Sequence, residues 1–425
     1  MIYTIFFGLL ILLIALGVPI AYSLGLASSF LIIYHIDLST ILVAQHMFAA
    51  VDSFSFLAIP FFMLAGALMS YGGVTKRLIN FAHSLVGSFK GGLAQVVAVS
   101  GMFFGAISGS SAATTAAIGA IMIDSMEKKG YARDFTAGVI AAGGMVGIVI
   151  PPSITLVVYG VIAGASIGEL FMGGFGPGIL FGCSMTVLSY FICKKRGWGG
   201  EGTFQIKNVV KTFLDSFWAL LMPVIILGGI YGGIFTPTEA AAVASVYALF
   251  IGFFVYRELH IRDLPAIFKR AIYGTTVIMF IVATAKVFGW ILTNAEIPHQ
   301  IGAFVANIAP NKYVFLMYTN VVLLVLGTMV NPSAAVVILT PILLPVAHQF
   351  GIGSVFFGVL MICNLAIGNV TPPVGLDLFV VSAITKLSMD KITRAMFPYL
   401  VVLIVDLVII TFVPPIIMFL PNLVR

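Results

Sequence analysis

The chain has 425 residues, 61% of them hydrophobic and 8% charged, with a mean hydropathy of +1.16 and a net charge of +6. This composition excludes a soluble globular protein, and apolar runs that are continuous rather than alternating exclude an outer-membrane barrel. The basic residues are spread through short loops, so the positive charge carries topology information and is not a nucleic-acid signal.

Taken in order, Met1 to Leu16 is apolar but lacks a basic n-region and a small-residue cleavage site, and reads as a first membrane helix rather than a removed signal. Helices are expected at about 2–19, 21–35 and 53–73. The charge-free run from Gly91 to Ile123 is 33 residues, long for one crossing and short for two with a turn. Lys76, Arg77 and Lys90 precede it, and Lys128, Lys129 and Arg133 follow. It reads as a hairpin, 92–126, that enters and leaves on the cytoplasmic side. At its tip lies Ser108-Gly109-Ser110-Ser111-Ala112-Ala113-Thr114-Thr115. Irregular polar backbone at membrane depth must be satisfied by protein or water, which makes the tip a candidate ion or substrate site. A broken helix at 135–165 and a helix at 171–193 complete the first half. A cytoplasmic linker follows at 194–212.

The second half repeats the first. Gly147-Ile148-Val149-Ile150-Pro151-Pro152 recurs as Gly368-Asn369-Val370-Thr371-Pro372-Pro373, an offset of 221 that also places Ser110 on Asn331 and Gly130 on Gly351. Helices are expected at about 213–234, 239–256 and 271–293, a hairpin at 314–349, a broken helix at 353–385 and a last helix at 396–420. The repeats therefore span 1–193 and 213–425. Five crossings in each half, an odd number, insert the halves upside down relative to one another. With both termini outside, 18 of the 21 Lys and Arg fall in cytoplasmic segments. Segments 36–50 and 257–270 are more amphipathic and read either as interfacial helices or as plain connecting loops.

The chemistry concentrates at the tips and the breaks. A Pro-Pro pair inside an apolar segment interrupts a helix and frees carbonyls and amide ends. Such carbonyls suit cations and the positive helix ends suit an anionic group. The first tip offers Ser108, Ser110, Ser111, Thr114 and Thr115, and the second offers Asn331, Ser333 and Thr340. Ser153 and Thr155 follow the first break; Asn369, Thr371 and Asp377 line the second. Hard oxygen ligands of this kind suit Na⁺, although Ser and Thr also bridge membrane helices without binding anything. Asp377 is the best cation-balancing charge. Lys286 either serves an anionic substrate or is a snorkelling or paired lysine. Glu239 reads as a helix cap, and Asp406 has no assigned role. The chain has no Walker A loop, no metal-ligand spacing among its six histidines, no disulfide pattern among Cys183, Cys193 and Cys363, and no nucleophile–base pair. Gly173-Gly174-Phe175-Gly176-Pro177-Gly178 starts an apolar helix and reads as packing.

Four stretches in this order carry a resemblance: Gly105 to Thr114, Pro151 to Ile154, Gly233-Ile234-Phe235-Thr236-Pro237-Thr238-Glu239-Ala240, and Thr371-Pro372-Pro373-Val374-Gly375. Asp52 to Pro60 fits as well. Together they resemble the large membrane subunit of the tripartite ATP-independent periplasmic (TRAP) transporters, the DctM family, from Ile20 to the end of the chain. The resemblance implies an all-α inner-membrane protein of two inverted repeats, with about ten crossings, two re-entrant hairpins and two broken helices. It implies an elevator mechanism, no enzymatic activity, no cofactor, and Na⁺ as the coupling ion. It implies three partners: a small four-helix membrane subunit of DctQ type, a periplasmic binding protein of DctP type, and a small organic anion such as a C4-dicarboxylate or a sugar acid. A separate small subunit is expected, since no such segment precedes Ile20. Carried over by position, one Na⁺ site comprises Ser108, Ser110, Ser111, Gly144, Gly147 and Pro151. A second comprises Asn331, Ser333, Gly368, Thr371, Pro372 and Asp377. Substrate contacts are Ser111, Thr114, Ser153, Thr155, Asn369 and Pro373. Many members of the family carry a carboxylate where this chain has Asn331, and often Asn where it has Asp377. The second Na⁺ site then depends on those two residues facing each other. The alternative is a stand-alone Na⁺-coupled carrier or Na⁺/H⁺ exchanger of similar architecture.

Overall fold

The computed structural model describes residues 2–35, 39, 41–200, 203–297, 300–302 and 309–424. The described residues are helical nearly throughout. The outer elements of the first half are α1 (Ile2–Ala15), α2 (Ile20–His35), α3 (Ile41–Val51), α4 (Ala58–Tyr71) and α5 (Val74–Val86). The first expected hairpin is α6 (Gly92–Ser108) and α7 (Ser111–Lys128), and the first broken helix is α8 (Arg133–Met145) and α9 (Ile154–Ala163). The half closes with α10 (Ile167–Arg196).

The second half begins with α11 (Ile206–Tyr231), α12 (Pro237–Phe250) and α13 (Leu264–Asn294). Its hairpin is α14 (Lys312–Gly327) and α15 (Pro332–Gln349), and its broken helix is α16 (Ser354–Gly368) and α17 (Leu376–Thr385). It ends with α18 (Met389–Phe412) and α19 (Pro415–Val424).

Among the described residues seven helices are long and apolar enough to cross a membrane. Six coincide with expected crossings. The seventh, Pro332–Gln349, is the second arm of the second hairpin. The remaining expected crossings are the short α1 and α2 and the two interrupted helices.

The structure refines several boundaries. Segment 36–50 contains the helix α3; residues 36–38 and 40 lie outside the described ones. The second part of segment 257–270 is the start of α13, entered through a 3₁₀ turn at Ile261–Asp263. Helices occupy both ends of the expected linker, because α10 runs to Arg196 and α11 starts at Ile206. The last helix divides at Val413-Pro414, where proline cannot donate to the helix ladder. The helix α5 was not expected. It is strongly amphipathic and packs its apolar side on α6 and α11. Arg77 on α5 also pairs with Glu258 at 2.6 Å and stacks on the Tyr256 ring at 3.9 Å, tying α5 to the segment before α13.

The packing divides into two groups. In one, α4 packs on α12, and α13 packs on α2, α3 and α4. In the other, α6, α7 and α8 pack on one another, α14 packs on α16, and α10 and α18 lie against them. Within this second group the halves interlock. The hairpin arm α7 packs on α17 of the other half, and the hairpin arm α15 packs on α9. Each tip thus meets the interrupted helix of the opposite half.

Candidate ion and substrate site

Four helix beginnings meet at the centre of this interlocked group. Three are set by side-chain caps, in which an oxygen accepts from an otherwise unpaired amide. Ser110 caps α7 through Ala113 N–H at 3.5 Å, Ser153 caps α9 through Leu156 N–H at 3.4 Å, and Asn331 caps α15 through Ser333 N–H at 3.0 Å. The fourth, α17, starts at Gly375 with φ of +59, a conformation glycine adopts without a Cβ penalty. Asp377 sits in its first turn. The Pro151-Pro152 and Pro372-Pro373 bonds are cis.

Each tip is tied to the break of its own half by backbone. Ile154 N–H donates to the Gly109 carbonyl at 3.3 Å, and Gly375 N–H donates to the Thr328 carbonyl at 3.0 Å. The sequence did not single out these two carbonyls, because main-chain acceptors leave no residue signature. The first tip is also held internally. Ser108 Oγ lies 2.8 Å from Thr114 Oγ1, which donates to the Ser110 carbonyl at 2.8 Å. A Cβ at Gly147 would strike the Thr114 hydroxyl, one at Gly144 would strike Thr115 Oγ1, and one at Gly368 would lie 2.6 Å from the Gly327 backbone. Small residues let these backbones approach, as membrane helix contacts favour.

Contacts across the halves are made by side chains. Asn369 Nδ2 donates to Ser111 Oγ at 3.0 Å, joining the second break to the first tip. Thr155 Oγ1 and Ser333 Oγ are 3.4 Å apart, joining the first break to the second tip. The backbone N–H of Asp377 donates to the Asn369 carbonyl at 3.1 Å. Its carboxylate is fully buried, faces the Ser111 hydroxyl, and has no hydrogen-bond partner on either oxygen. Thr115 Oγ1 is likewise buried without a partner. A buried polar group with no partner costs free energy, and a charge costs several kcal/mol. An acceptor set of this kind fits a cation.

The expected site residues fall into three positions. Ser108, Ser111, Thr114, Gly144, Gly147, Pro151, Ser153, Thr155, Ser333, Gly368, Asn369 and Asp377 are buried. Ser110 and Thr371 are half-buried, and the Thr371 hydroxyl is spent on the Ile367 carbonyl at 2.7 Å. Asn331, Pro372 and Pro373 are exposed. Asn331 does not hydrogen-bond Asp377, whose carboxylate lies at the first tip. The two candidate ion sites therefore share a boundary along Ser111, Asn369 and Asp377.

Paired helix hairpins and interrupted helices around buried polar groups, inside an apolar helical chain, define a membrane transport protein. The fold is similar to that of the Alcanivorax borkumensis YdaH transporter, with a TM-score of 0.55 at 12% identity over 84% of this chain and 86% of that one.

The family model described as "Tripartite ATP-independent periplasmic transporter, DctM component" matches residues 7–416, and the chain belongs to this family of transporters, which are not enzymes. It is 42% identical over 400 residues to the C4-dicarboxylate TRAP transporter large permease protein DctM of Pseudomonas aeruginosa, covering 94% of each. It is 41% identical over 418 residues to the sialic acid TRAP transporter large permease protein SiaM of Vibrio cholerae, covering 98% of this chain and 97% of that one. It is 44% identical over 416 residues to the isethionate TRAP transporter permease protein DctMQ of Oleidesulfovibrio alaskensis; the match takes in 98% of this chain and 66% of that protein's length.

Proposed function

We propose that this chain is the large membrane subunit of a Na⁺-coupled importer that moves a small organic anion across a bacterial inner membrane. The anion is a carboxylate or a similar acid, in line with the C4-dicarboxylate, sialic acid and isethionate proteins to which the chain is similar. Its partners are a small four-helix membrane subunit and a periplasmic binding protein that delivers the anion. The two halves are inverted repeats with both termini periplasmic.

One observation carries the reading: each hairpin tip engages the broken helix of the opposite half, with the Asp377 carboxylate buried and unpartnered at one of those junctions. Asp377 balances the cation, assisted by Ser111 and by carbonyls freed at the second break. The hydroxyl of Thr155, the Asn369 amide and the helix N-termini hold the anion. Coupling follows if the anion seats well only once the cation has neutralised Asp377, since an unscreened carboxylate beside the site repels it. The hairpins and interrupted helices slide as one body against α2, α3, α4, α12 and α13.

The test is uptake in proteoliposomes holding this chain and its small subunit. An imposed Na⁺ gradient is applied with and without the loaded binding protein. Uptake that requires both supports the three-component importer. Uptake without the binding protein means a stand-alone carrier, and no Na⁺ dependence removes the coupling assignment.

A further inference from the structure

A second polar feature lies away from the tips. A cavity of about 690 Å³ opens between α3 and α13 on one side and α9 and α15 on the other. Its size falls in the range of about 300–1,000 Å³ typical of small-molecule sites. Lys286 of α13 lines it, together with His46 of α3, Trp290 and Thr293 of α13, and Thr340 of α15. His46 packs on Trp290 with ring centroids 5.0 Å apart and the planes tilted by 32°.

The lining contains no Asp or Glu, and Lys286 makes no ion pair among the described residues. An ammonium in the membrane-spanning part of a helix is costly without a counter-charge. The described residues supply none here, so an anion from outside the chain is the complementary partner. Thr340 at the cavity wall is buried, and its hydroxyl donates to the Met361 sulfur at 3.9 Å.

We propose that this cavity is a binding site for the carboxylate or sulfonate group of the transported anion, with Lys286 as its charge partner. It lies where the two packing groups meet, one wall on each. An anion there touches α13, in the group taken as static, and α15, in the group taken as mobile. The proposal rests on the importer reading above, and gives it a charged subsite separate from the Asp377 junction.

The first arm of the test needs no transport. Ala49→Cys is made in a chain carrying Cys183→Ser, Cys193→Ala and Cys363→Ala, with Thr293→Cys as a second position should the first misfold; both residues line the cavity and are exposed. The labelling rates of 2-sulfonatoethyl and 2-trimethylammonioethyl methanethiosulfonate are compared in nanodiscs. The anionic-to-cationic rate ratio should fall at least about tenfold when Lys286→Gln is added, and recover with Lys286→Arg. An unchanged ratio at both positions overturns the proposal.

The second arm measures uptake by the assembled three-component system, using succinate, isethionate and N-acetylneuraminate as probes. Lys286→Gln should raise the KM of the transported probe about tenfold, and Lys286→Arg should restore it. An unchanged KM also overturns the proposal. If the wild-type system shows no gradient-driven uptake, the importer reading fails, and the labelling ratio still reports on Lys286.

Discussion

Asn369 donates its side-chain amide to the Ser111 hydroxyl across 258 residues of chain, at 3.0 Å and in a buried position. The bond joins the break of one half to the hairpin tip of the other, and it brings the Asp377 carboxylate against the same hydroxyl. Replacing Ser111 by alanine leaves the Asn369 amide buried without this acceptor. The expected cost is about 1–3 kcal/mol of stability. Thermal unfolding of the detergent-purified chain measures it. Ser111→Thr keeps a hydroxyl and should lose less. Equal losses in the two variants would show that the bond contributes nothing there.

Asp377→Asn removes a buried charge and keeps the volume. The carboxylate has no hydrogen-bond partner, so the variant should be as stable as the parent or more stable, by up to about 1–4 kcal/mol. Na⁺ activation of uptake should weaken, with the half-maximal concentration raised at least about tenfold, equivalent to ~1.4 kcal/mol. A stable variant with unchanged Na⁺ activation would remove Asp377 from the ion site. Ser110→Ala gives a contrasting pattern. It deletes the cap of α7 and should cost about 0.5–2 kcal/mol of stability along with any loss of Na⁺ activation.

Gly147 and Gly368 occupy corresponding places in the two halves, each pressed against its own hairpin. At Gly147 a methyl group would meet the Thr114 hydroxyl and lie 2.9 Å from the Ser110 carbonyl. Gly147→Ala should therefore destabilise by about 1–3 kcal/mol through overpacking. It should also lower uptake, because Thr114 must leave its bonds to Ser108 and the Ser110 carbonyl. Adding Thr114→Ala to Gly147→Ala makes room for the methyl and should recover part of the stability. A double variant no more stable than the single one would place the strain elsewhere.

The hairpins and breaks were legible because charge-free length, serine-rich tips and the Pro-Pro repeat are local signals. Ser110 and Asn331, paired by the offset of 221, are both helix caps. The crossing of the halves was not legible in full. The sequence can place Thr155 and Ser333 at corresponding kinds of position, but their 3.4 Å contact depends on how two distant segments dock. The same limit applies to Asp377. The family resemblance grouped it with Asn331, whereas docking turns its carboxylate toward Ser111. The helix α5 escaped notice for another reason. Lys76 and Arg77 read as a charged loop, although apolar Leu78, Ile79, Phe81 and Ala82 form a buried face between them and the hairpin.

Ser110 and Asn331 offer a final test of movement. Ser110 is half-buried and Asn331 exposed, so the two tips differ in accessibility in this structure. The proposed sliding of the inner group should exchange their environments, because each tip is tied to the break of its own half by backbone and to the opposite break by side chains. Single cysteines at the two positions should respond to Na⁺ and to the loaded binding protein. A membrane-impermeant maleimide applied from one side, then from the other, reads out the change. The expected outcome is reciprocal: conditions that raise labelling from one side lower it from the other, by at least about threefold for a population shift of ~0.7 kcal/mol. Labelling of both positions from one side only, under every condition, would mean that the tips are static, and the coupled movement of the inner helices would have to be abandoned.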